Sequence, residues 1–421
     1  MPDRIRFLLN RLGERLWVKP LAMCILSVAG VFLAQATDRM SLAEKWPTVT
    51  LDSVETLLTT MSASMLVIAT FSVASMVSAY SSASNMATPR TFTLVVADDV
   101  SQNALSTFIG AFIFSIVALI ALKNSYYGDA GRLTLFVLTL LVFAIVIGMF
   151  VRWVDRIARL GRVGSTIEKV ESAAAKALRR RRSAPTLCAS PVDESLHGGE
   201  PLHSSSIGYV QHIDIKKLQA CARRANLRIR IAALPGTFAA PGRPLAHLFA
   251  DSGRVDASQR EPIEKAFLIG DERIYDDDPR FGLIVLSEVA SRALSPGVND
   301  PGTAIDIIGR LVRLFALWVE PRADQRPGQS DYDRVQVPET SLADMFDDAF
   351  PPIARDGADS IEVVVRMLKA LHSLSAVGHA EMRELALQHA RLALARAEIG
   401  LVLQQDREVA RKVAAFAIAD Q

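Results

Sequence analysis

The chain has 421 residues, half of them hydrophobic, and carries 47 basic against 45 acidic residues, a net charge of +2 at pH 7. This balance argues against a polyanionic partner such as nucleic acid. The mean hydropathy of +0.24 is high for a soluble protein. The three cysteines, Cys24, Cys188 and Cys221, form no C-x-x-C pair, which argues against a disulfide framework or a zinc site.

Most of the hydrophobic excess lies within residues 1–155, which we interpret as a transmembrane domain. Four segments there are apolar over a length that can cross a bilayer, which takes roughly 20 residues of helix. We interpret the first as a retained span and not as a signal peptide, because its apolar run is long and three more spans follow. The spans are predicted at about 20–36, 56–80, 103–122 and 133–151.

Basic residues predict the orientation of these spans. Five basic residues precede the first span and four follow the fourth span. The loops 37–55 and 123–132, on the other side of these spans, carry two each. Positively charged flanks remain on the cytoplasmic side of a membrane. Both termini, and the long chain that follows the fourth span, are therefore expected in the cytoplasm.

The second span is unusually rich in Ser and Thr. At about 100° per residue, one face collects Thr60, Ser64, Ile68, Phe71, Ser75, Ser78 and Ser82. Hydroxyls on both sides of an apolar pair suit a helix that lines a pore, with Ile68 and Phe71 as a dewetting constriction. The alternative is that the small hydroxylated residues serve close helix packing and bond their own backbone.

The loop after the second span is predicted to be cytoplasmic and contains opposite charges. Arg90 follows a proline that ends the second helix, while Asp98 and Asp99 precede the third. One interpretation is that the two acids cap the third helix and that Arg90 pairs with lipid phosphate. The other is that these three residues form the cytoplasmic mouth of a pore.

The second half of the chain is predicted to be an α+β domain. Residues 156–206 are interpreted as a connecting helix and a linker, in which Arg179 to Arg182 form a solvated charge run. Residues 207–257 alternate like strands around one short helix capped by Asp214 and predict a small β unit. Residues 258–421 are predicted to be mainly helical, with a polar stretch at 321–340.

The stretch "SRALSPGVNDPGTAID", residues 291–306, predicts a sharply defined turn between two helices. Pro296 ends the first helix near Leu294, Gly297 is expected to take a positive φ, and Asn299 or Asp300 caps the second helix. Polar groups remain that this turn does not require. With two upstream residues they form a candidate ligand or interface loop: Arg273, Asp277, Arg292, Ser295, Asn299 and Asp300.

Motifs of catalysis and cofactor binding are missing from the sequence. It contains no G-x-x-x-x-G-K-[ST], no G-x-S-x-G and no H-E-x-x-H, so no catalytic residue, cofactor or metal is predicted. The acidic run Asp276 to Asp278 is expected to be a solvated turn and not part of any core, with a divalent-cation site as the alternative. An enzyme is disfavoured because no nucleophile is paired with a base.

In residues 281–304, the sequence resembles a large bacterial family of predicted membrane proteins defined by a domain of unknown function. That family has an aromatic-Gly-Leu start, an Arg-Ala-Leu-Ser-Pro-Gly core and an Asn-Asp-Pro…Thr-Ala end. The matching residues are Phe281 to Leu283, Arg292 to Gly297, Asn299 to Pro301, Thr303 and Ala304. Further similar blocks are "ATPRTFTLVVADDVSQNALSTFIGAFIF", "GYVQHID" and "PGTFAAPGRPLA". Ile274 stands where the family tends to have Thr, which weakens a chemical role for that hydroxyl.

The resemblance covers most of the chain and implies four spans with a cytoplasmic domain in the bacterial inner membrane, but no activity. We expect an oligomeric pore or channel-like protein with a cytoplasmic assembly or sensing domain. The alternative is a membrane-anchored sensor or scaffold that binds a protein partner. A third hypothesis is an enzyme that uses Arg273, Asp277, Arg292 and Asp300 on a phosphorylated or lipid substrate. The expected partners are the lipid bilayer, further copies of the chain, and a small ion or cytoplasmic ligand.

Overall fold

The computed structural model describes residues 18–38, 49–86, 88–91, 94, 99–157, 162–196, 198–250, 255–320 and 332–418. The chain divides into two compact units, Met1–Thr166 and Ile167–Gln421. Four apolar helices come first, followed by a mixed α/β region with small sheets and then by a helical part. The predicted fold class is confirmed at this level.

The first unit contains the four apolar helices, and each predicted span lies inside one of them. Each of the four is long and apolar enough to cross a membrane, because most of its residues are apolar and charged residues are confined to the ends. The helices are α1 (Val18–Asp38), α2 (Leu51–Met86), α3 (Asp99–Lys123) and α4 (Asp129–Ile157).

Helix α3 lies at the centre of this unit and contacts the other three helices. Small residues make this possible: a side-chain carbon added at Gly110 would lie 3.0 Å from Met23 Cβ of α1. The buried hydroxyls of Ser106 and Ser115 donate to the carbonyls four residues earlier, at 2.6 and 2.7 Å. Hydroxyls that bond their own helix in this way can be buried without a partner on another helix.

An aromatic cluster that the sequence did not predict fills one part of the first unit. Trp153 of α4 is buried, and its ring centroid lies 6.1 Å from Phe71, 6.3 Å from Phe108 and 6.0 Å from Phe150. The contacts with Phe71 and Phe108 are edge-to-face, the arrangement that the charge distribution of aromatic rings favours. The cluster therefore ties α2 and α3 to α4.

The second unit begins in helix α5 (Val163–Ser183) and contains two sheets. The larger has the strand order β1-β8-β4-β6-β2 and the smaller the order β5-β3-β7. The strands are β1 (Ala189–Ser190), β2 (Glu200–His203), β3 (Gly208–Ile213), β4 (Leu227–Ile231), β5 (Phe238–Ala239), β6 (Pro244–Ala250), β7 (Phe267–Gly270) and β8 (Tyr332–Gln336).

Four strands come from segments that the sequence did not mark as strands. β1 and β2 lie in the expected linker, β7 lies in the part predicted to be mainly helical, and β8 lies in the polar stretch 321–340. β8 pairs in parallel with both β1 and β4. Its sequence, YDRVQ, is too polar to stand out locally, and pairing with distant strands decides its conformation.

Helices make up the rest of the second unit. Asp214 caps the first of them as predicted, because its carboxylate accepts from Lys217 N at 2.9 Å. Phe315, Phe346 and Phe350 meet in the buried core of the helical part, with centroids 4.6 to 5.3 Å apart. The helices are α6 (Ile215–Ala225), α7 (Ala257–Glu264), α8 (Phe281–Ala293), α9 (Pro301–Val319), α10 (Leu342–Ala349), α11 (Pro351–Asp356), α12 (Ile361–Ser375), α13 (Ala380–Gly400), α14 (Gln404–Val413) and α15 (Ala415–Ile418).

The turn between α8 and α9 differs from prediction at one residue. Asp300 caps α9 by accepting from Thr303 N at 3.0 Å and from Thr303 Oγ1 at 2.6 Å. The left-handed residue, however, is Asn299, with φ 50°, and Gly297 is not among the described residues with positive φ. The prediction for Gly297 is wrong because Asn also tolerates this conformation.

Candidate functional site

The predicted pore-lining residues lie along one flank of α2, beside the face that packs within the first unit. Thr60, Ser64, Phe71 and Ser78 are exposed, whereas Ile68, Ser75 and Ser82 are half-buried. The face of α2 that packs within its own unit consists mainly of other residues, including Leu58, Met61, Met65 and Met76. Hydroxyls at the exposed positions are therefore not used for packing against the described residues.

The two residues of the predicted constriction have different surroundings. Ile68 packs against the apolar core of the first unit. Phe71 is 63% exposed and touches its own unit through the edge-to-face contact with Trp153. Of the pair, Phe71 is the residue whose side chain extends away from the bundle.

The predicted mouth residues are only partly described. Arg90 is exposed in a single 3₁₀ turn, Pro89–Thr91. Asp98 and the side chain of Asp99 lie outside the described residues, although the backbone of Asp99 begins α3. A contact among the three stays a prediction.

A network of arginines and aspartates surrounds the N-terminus of α8 in the second unit. Asp277 is 9% exposed, and its carboxylate accepts from His212 Nδ1 at 2.6 Å and from Arg180 Nη1 at 2.8 Å. Burial raises the pKa of Asp277, but the His212 hydrogen bond and the charges of Arg180 and Arg181 outweigh it and hold this pKa below its usual value. Asp277 therefore joins α5 to β3.

Asp278 is a buried structural residue of the same network. It is 1% exposed, and its Oδ2 accepts from Arg273 Nε at 2.8 Å and Nη2 at 2.7 Å. Its Oδ1 accepts from the backbone N–H groups of Arg280 and Phe281, at 3.1 and 3.2 Å, and so caps α8. Burial raises the pKa of Asp278 in spite of these partners. The expectation that residues 276–278 are a solvated run outside any core is thus wrong for Asp277 and Asp278.

A Pro-Gly turn lies directly against the Arg273–Asp278 pair. Thr237 N donates to Leu234 O at 2.9 Å, which closes a turn with Pro235 and Gly236 in its two central positions. Gly236 has φ +94°, and a side-chain carbon added there would collide with the Asp278 carboxylate. Proline followed by glycine is the sequence that such a turn favours. Gly236 therefore permits both the turn and its contact with the ion pair.

Arg181 lies inside the protein, contrary to the expectation of a solvated charge run. It is 2% exposed, and its Nη2 donates to the backbone oxygen of Asp277 at 3.1 Å. Its Nε and Nη1 are buried and have no hydrogen-bond partner among the described residues. Burial lowers the pKa of Arg181, opposed by Asp277 and Asp278. The loop 271–280 covers this arginine, which the local sequence of α5 does not reveal.

Arg181, Gly236 and Arg273 line a cavity of about 320 Å³. Arg280 lines it too and is held by Asp348, through contacts of 2.6 and 3.1 Å, and by Asp344. The loop between β8 and α10 contributes Thr340, whose hydroxyl oxygen is buried without a hydrogen-bond partner in the described chain. The cavity is therefore built from four separate segments of the second unit.

The predicted ligand loop divides between the two ends of α8. Arg273 and Asp277 belong to the network at its N-terminus, whereas Arg292, Ser295, Asn299 and Asp300 lie at its C-terminus. A helix of 13 residues separates its ends by about 20 Å. The four residues of the enzyme hypothesis thus do not converge. Within the described ranges, no group of three His, Cys, Asp or Glu side chains is placed to hold a metal ion.

The cavity-lining residues that sequence reasoning missed include Arg181, Gly236, Arg280 and Thr340. The Pro235-Gly236 dipeptide was a usable signal for the turn. Arg181 was visible only as one of four consecutive arginines, and its burial depends on a loop almost one hundred residues away in the chain. The sequence around Thr340 offers no signal, since its position follows from the pairing of β8.

Comparison with known proteins gives a family and no activity. The family model described as predicted membrane protein (DUF2254) matches residues 13–373. Two uncharacterized proteins, from Mycobacterium bovis and Mycobacterium tuberculosis, are each 29% identical over 114 residues. That match covers 26% of this chain and 22% of each relative. No solved structure matches the chain significantly. With a family match over most of its length, and four helices able to cross a membrane, the chain belongs to the DUF2254 family of predicted membrane proteins.

Proposed function

We propose that the protein is an oligomeric pore or channel-like protein of the bacterial inner membrane, with a cytoplasmic unit for assembly or sensing. The observation that carries this proposal is the position of the hydroxyl-bearing face of α2, which is exposed in the single chain at Thr60, Ser64 and Ser78. The basic residues before the first span and after the fourth support cytoplasmic termini.

An exposed hydroxyl face has two possible surroundings in a membrane, lipid or another chain. Lipid chains offer no partner to a hydroxyl that does not bond its own backbone, and within its own unit α2 packs mainly through a different face. A ring of second spans from several copies would instead turn this face toward water. We therefore favour a pathway lined by α2.

Phe71 is the residue that supports a constriction. It projects from the bundle between the hydroxyls at positions 64 and 78, and its edge-to-face contact with Trp153 holds the ring in place. Rings of apolar side chains gate pores by excluding water. Ile68 would flank the constriction and, being half-buried, also belongs to the packing of its own chain.

Ion flux through purified protein in liposomes tests the proposal. Flux is expected to rise in Phe71→Ala and Ile68→Ser, because both changes remove apolar bulk from the constriction. Val73→Ala is the matched control, since Val73 is also exposed and lies two residues on, roughly 160° around the helix. Flux that rises in the first two variants and not in the third would support the pore.

Two outcomes would contradict the pore. In one, wild type and all variants are equally silent in liposomes into which the protein has inserted. In the other, Val73→Ala raises flux as much as Phe71→Ala, which would indicate a general loosening of the bundle. Because Ile68→Ser also removes a packing contact, the thermal midpoint of each variant should be recorded beside its flux.

A membrane-anchored sensor or scaffold is the second candidate. It is favoured by the central position of α3, whose contacts with the other three helices hold the spans of one chain together. It is favoured also by the cavity in the second unit. Silent liposomes combined with ligand binding in that cavity would select this candidate over the pore.

A further inference from the structure

Helix α13 carries large apolar side chains on the face that points away from its own core. The side that faces the core of the second unit includes four buried alanines: Ala386, Ala390, Ala393 and Ala397. On the opposite side of the helix, Leu392 is 44% and Ile399 is 86% exposed. Val402, in the turn that follows the helix, is 93% exposed. Single exposed apolar residues are common, but a row of them along one face marks a binding surface.

The spacing along this face is that of a coiled-coil seam. Its positions recur at alternating steps of three and four residues, and we call them the α13 seam: Leu385, Gln388, Leu392, Ala395, Ile399 and Val402. Leu385 is half-buried and the other five are exposed. Side chains at this spacing stay on one side of a helix over several turns and insert between the residues of a second helix with the same pattern. A polar residue within such a seam, here Gln388, fixes the register of the pair.

The charges of α13 argue against a lipid surface as the partner of the seam. The helix carries equal numbers of acidic and basic residues: Glu381, Glu384 and Glu398 against Arg383, Arg391 and Arg396. Helices that lie on a bilayer are instead rich in Lys and Arg on their polar face. An anionic bilayer would also repel Glu384 and Glu398, which flank the seam. The α13 seam therefore fits a protein surface better than a membrane.

One flank of the α13 seam is complementary to itself. Glu384, Arg391 and Glu398 follow one another at intervals of seven residues, so the charge alternates along that flank. When two identical helices pack antiparallel about a two-fold axis, the same flank of both copies meets, and Arg391 of one copy faces Glu398 of the other. Within the chain, Arg391 Nε donates to Ala417 O at 2.8 Å and Glu398 accepts from Arg411 Nε at 2.6 Å. Each group keeps further donor or acceptor atoms for a partner.

The same register pairs large side chains with small ones. With Arg391 opposite Glu398, the two-fold axis passes between Leu392 and Ala395. Leu392 of each copy then lies against Ala395 of the other, and Ile399 lies against Gln388. Large and small residues at facing positions let two surfaces interdigitate.

We propose that α13 is a self-association surface, through which two copies of this chain pack as an antiparallel helix pair. The inference rests on the assembly role proposed above for the second unit, and it does not require that the spans conduct ions. The seam covers about four turns of helix and is therefore a small interface. It gains strength when the spans already hold two copies in one membrane, because the second contact then forms at a high effective concentration.

Cross-linking of the full chain in liposomes tests the position of this contact. In a chain whose native Cys24, Cys188 and Cys221 are replaced by serine, Ala395→Cys is expected to link two copies through a short thiol-specific reagent. The reason is that Ala395 lies beside the two-fold axis of the proposed pair. Val377→Cys is the control, because Val377 is also exposed but lies in the turn before α13, outside the seam. It should not link copies.

A charge placed in the seam tests whether apolar contact drives the association. Added to the Ala395→Cys chain, Ile399→Lys is expected to slow cross-linking by about tenfold, the usual effect of losing a buried aliphatic contact. Val377→Lys makes the same change at an exposed aliphatic residue outside the seam and should leave the rate unchanged. Because Ile399 is exposed in the single chain, Ile399→Lys should also leave the thermal midpoint unchanged.

The proposal is overturned if Ala395→Cys does not link copies. Ser64→Cys in α2 then shows whether the copies still meet through their spans, which would leave the pore assembly standing without α13. Equal linking at Ala395→Cys and Val377→Cys also overturns the proposal. So does an Ile399→Lys variant that lowers the thermal midpoint and leaves the linking rate unchanged, because the chain itself would then cover the seam. Linking at Ala395→Cys in a protein that conducts no ions would support the α13 contact and contradict the pore.

Discussion

The side chain of Asp278 connects three parts of the second unit that are far apart in the sequence. It pairs with Arg273, caps α8 and lies against Gly236 of the turn before β5. Because this carboxylate is buried, the hydrogen bonds from Arg273 and from the backbone N–H groups at the start of α8 replace water that the charge has lost. Gly236 has the least freedom to change, since both its backbone conformation and the space around it exclude a side chain.

Gly236→Ala is therefore expected to destabilise the second unit by at least about 2 kcal/mol, the sum of a left-handed non-glycine residue and an overpacked contact. Gly242→Ala is the matched control, because Gly242 also has a positive φ, +81°, but open space where a side chain would lie. The thermal midpoints of the purified full chains in detergent provide the comparison. Equal losses in the two variants would show that the contact with Asp278 contributes nothing.

At the scale of elements, α8 has one polar network at its start and one capped turn at its end. The network at its N-terminus lines the cavity, whereas the turn 294–300 is explained by local chemistry: Ser295 Oγ donates to Arg292 O at 2.6 Å and Asp300 caps α9. Arg292 and Asn299 are exposed there. The start of α8 is therefore the candidate site in the second unit, and an interface role for the turn stays a prediction.

Asp300→Ala is expected to lower stability by about 1 kcal/mol at neutral pH, the usual cost of losing an N-cap, while Asp300→Asn loses less. Hydrogen bonds from Thr303 hold the pKa of Asp300 below its usual value. The contribution of its charge is thus present above the unfolded pKa of about 3.9 and is lost as the pH falls through the folded value. Thermal midpoints of wild type and Asp300→Ala, measured from pH 7 down to pH 3, should therefore converge. A gap that stays constant with pH would contradict a role for the carboxylate charge.

At the scale of the whole molecule, the two units have different physical reasons to hold together. The first is held by apolar side chains and small residues around α3, as expected of helices in a membrane. The second is held by two sheets, an aromatic core and arginine–aspartate pairs. The pore proposal adds that copies of the chain meet through α2.

Cysteine cross-linking tests that contact between copies. In a chain whose three native cysteines, Cys24, Cys188 and Cys221, are replaced by serine, Ser64→Cys and Ser78→Cys are expected to link copies through a short thiol-specific reagent. Val73→Cys is the control, exposed but on the other flank of α2. Linked species on a denaturing gel report the result. Equal linkage at all three positions, or none at any, would contradict an assembly through the hydroxyl face.

Local chemistry made part of this protein predictable. Apolar runs of sufficient length fix α1 to α4, because helix is the only open-chain structure that satisfies its own backbone in lipid. Asp214 and Asp300 mark the starts of two helices, because an acidic cap satisfies the free N–H groups that follow it. Each of these features depends on residues within a few positions of one another, so the sequence alone was sufficient.

Only the tertiary structure decided the arrangement of the cavity. β8 joins its sheet through partners more than one hundred residues away, and Arg181 is buried by a loop that lies 96 residues further along the chain. Consecutive arginines are normally exposed to solvent, so the local sequence predicts that Arg181 is exposed. A short polar strand such as β8 has no alternation of apolar and polar residues that would mark it as a strand. The sequence by itself thus determined the spans and the helix caps. Contacts between distant segments determined which charged groups are buried, because burial depends on what packs against a residue.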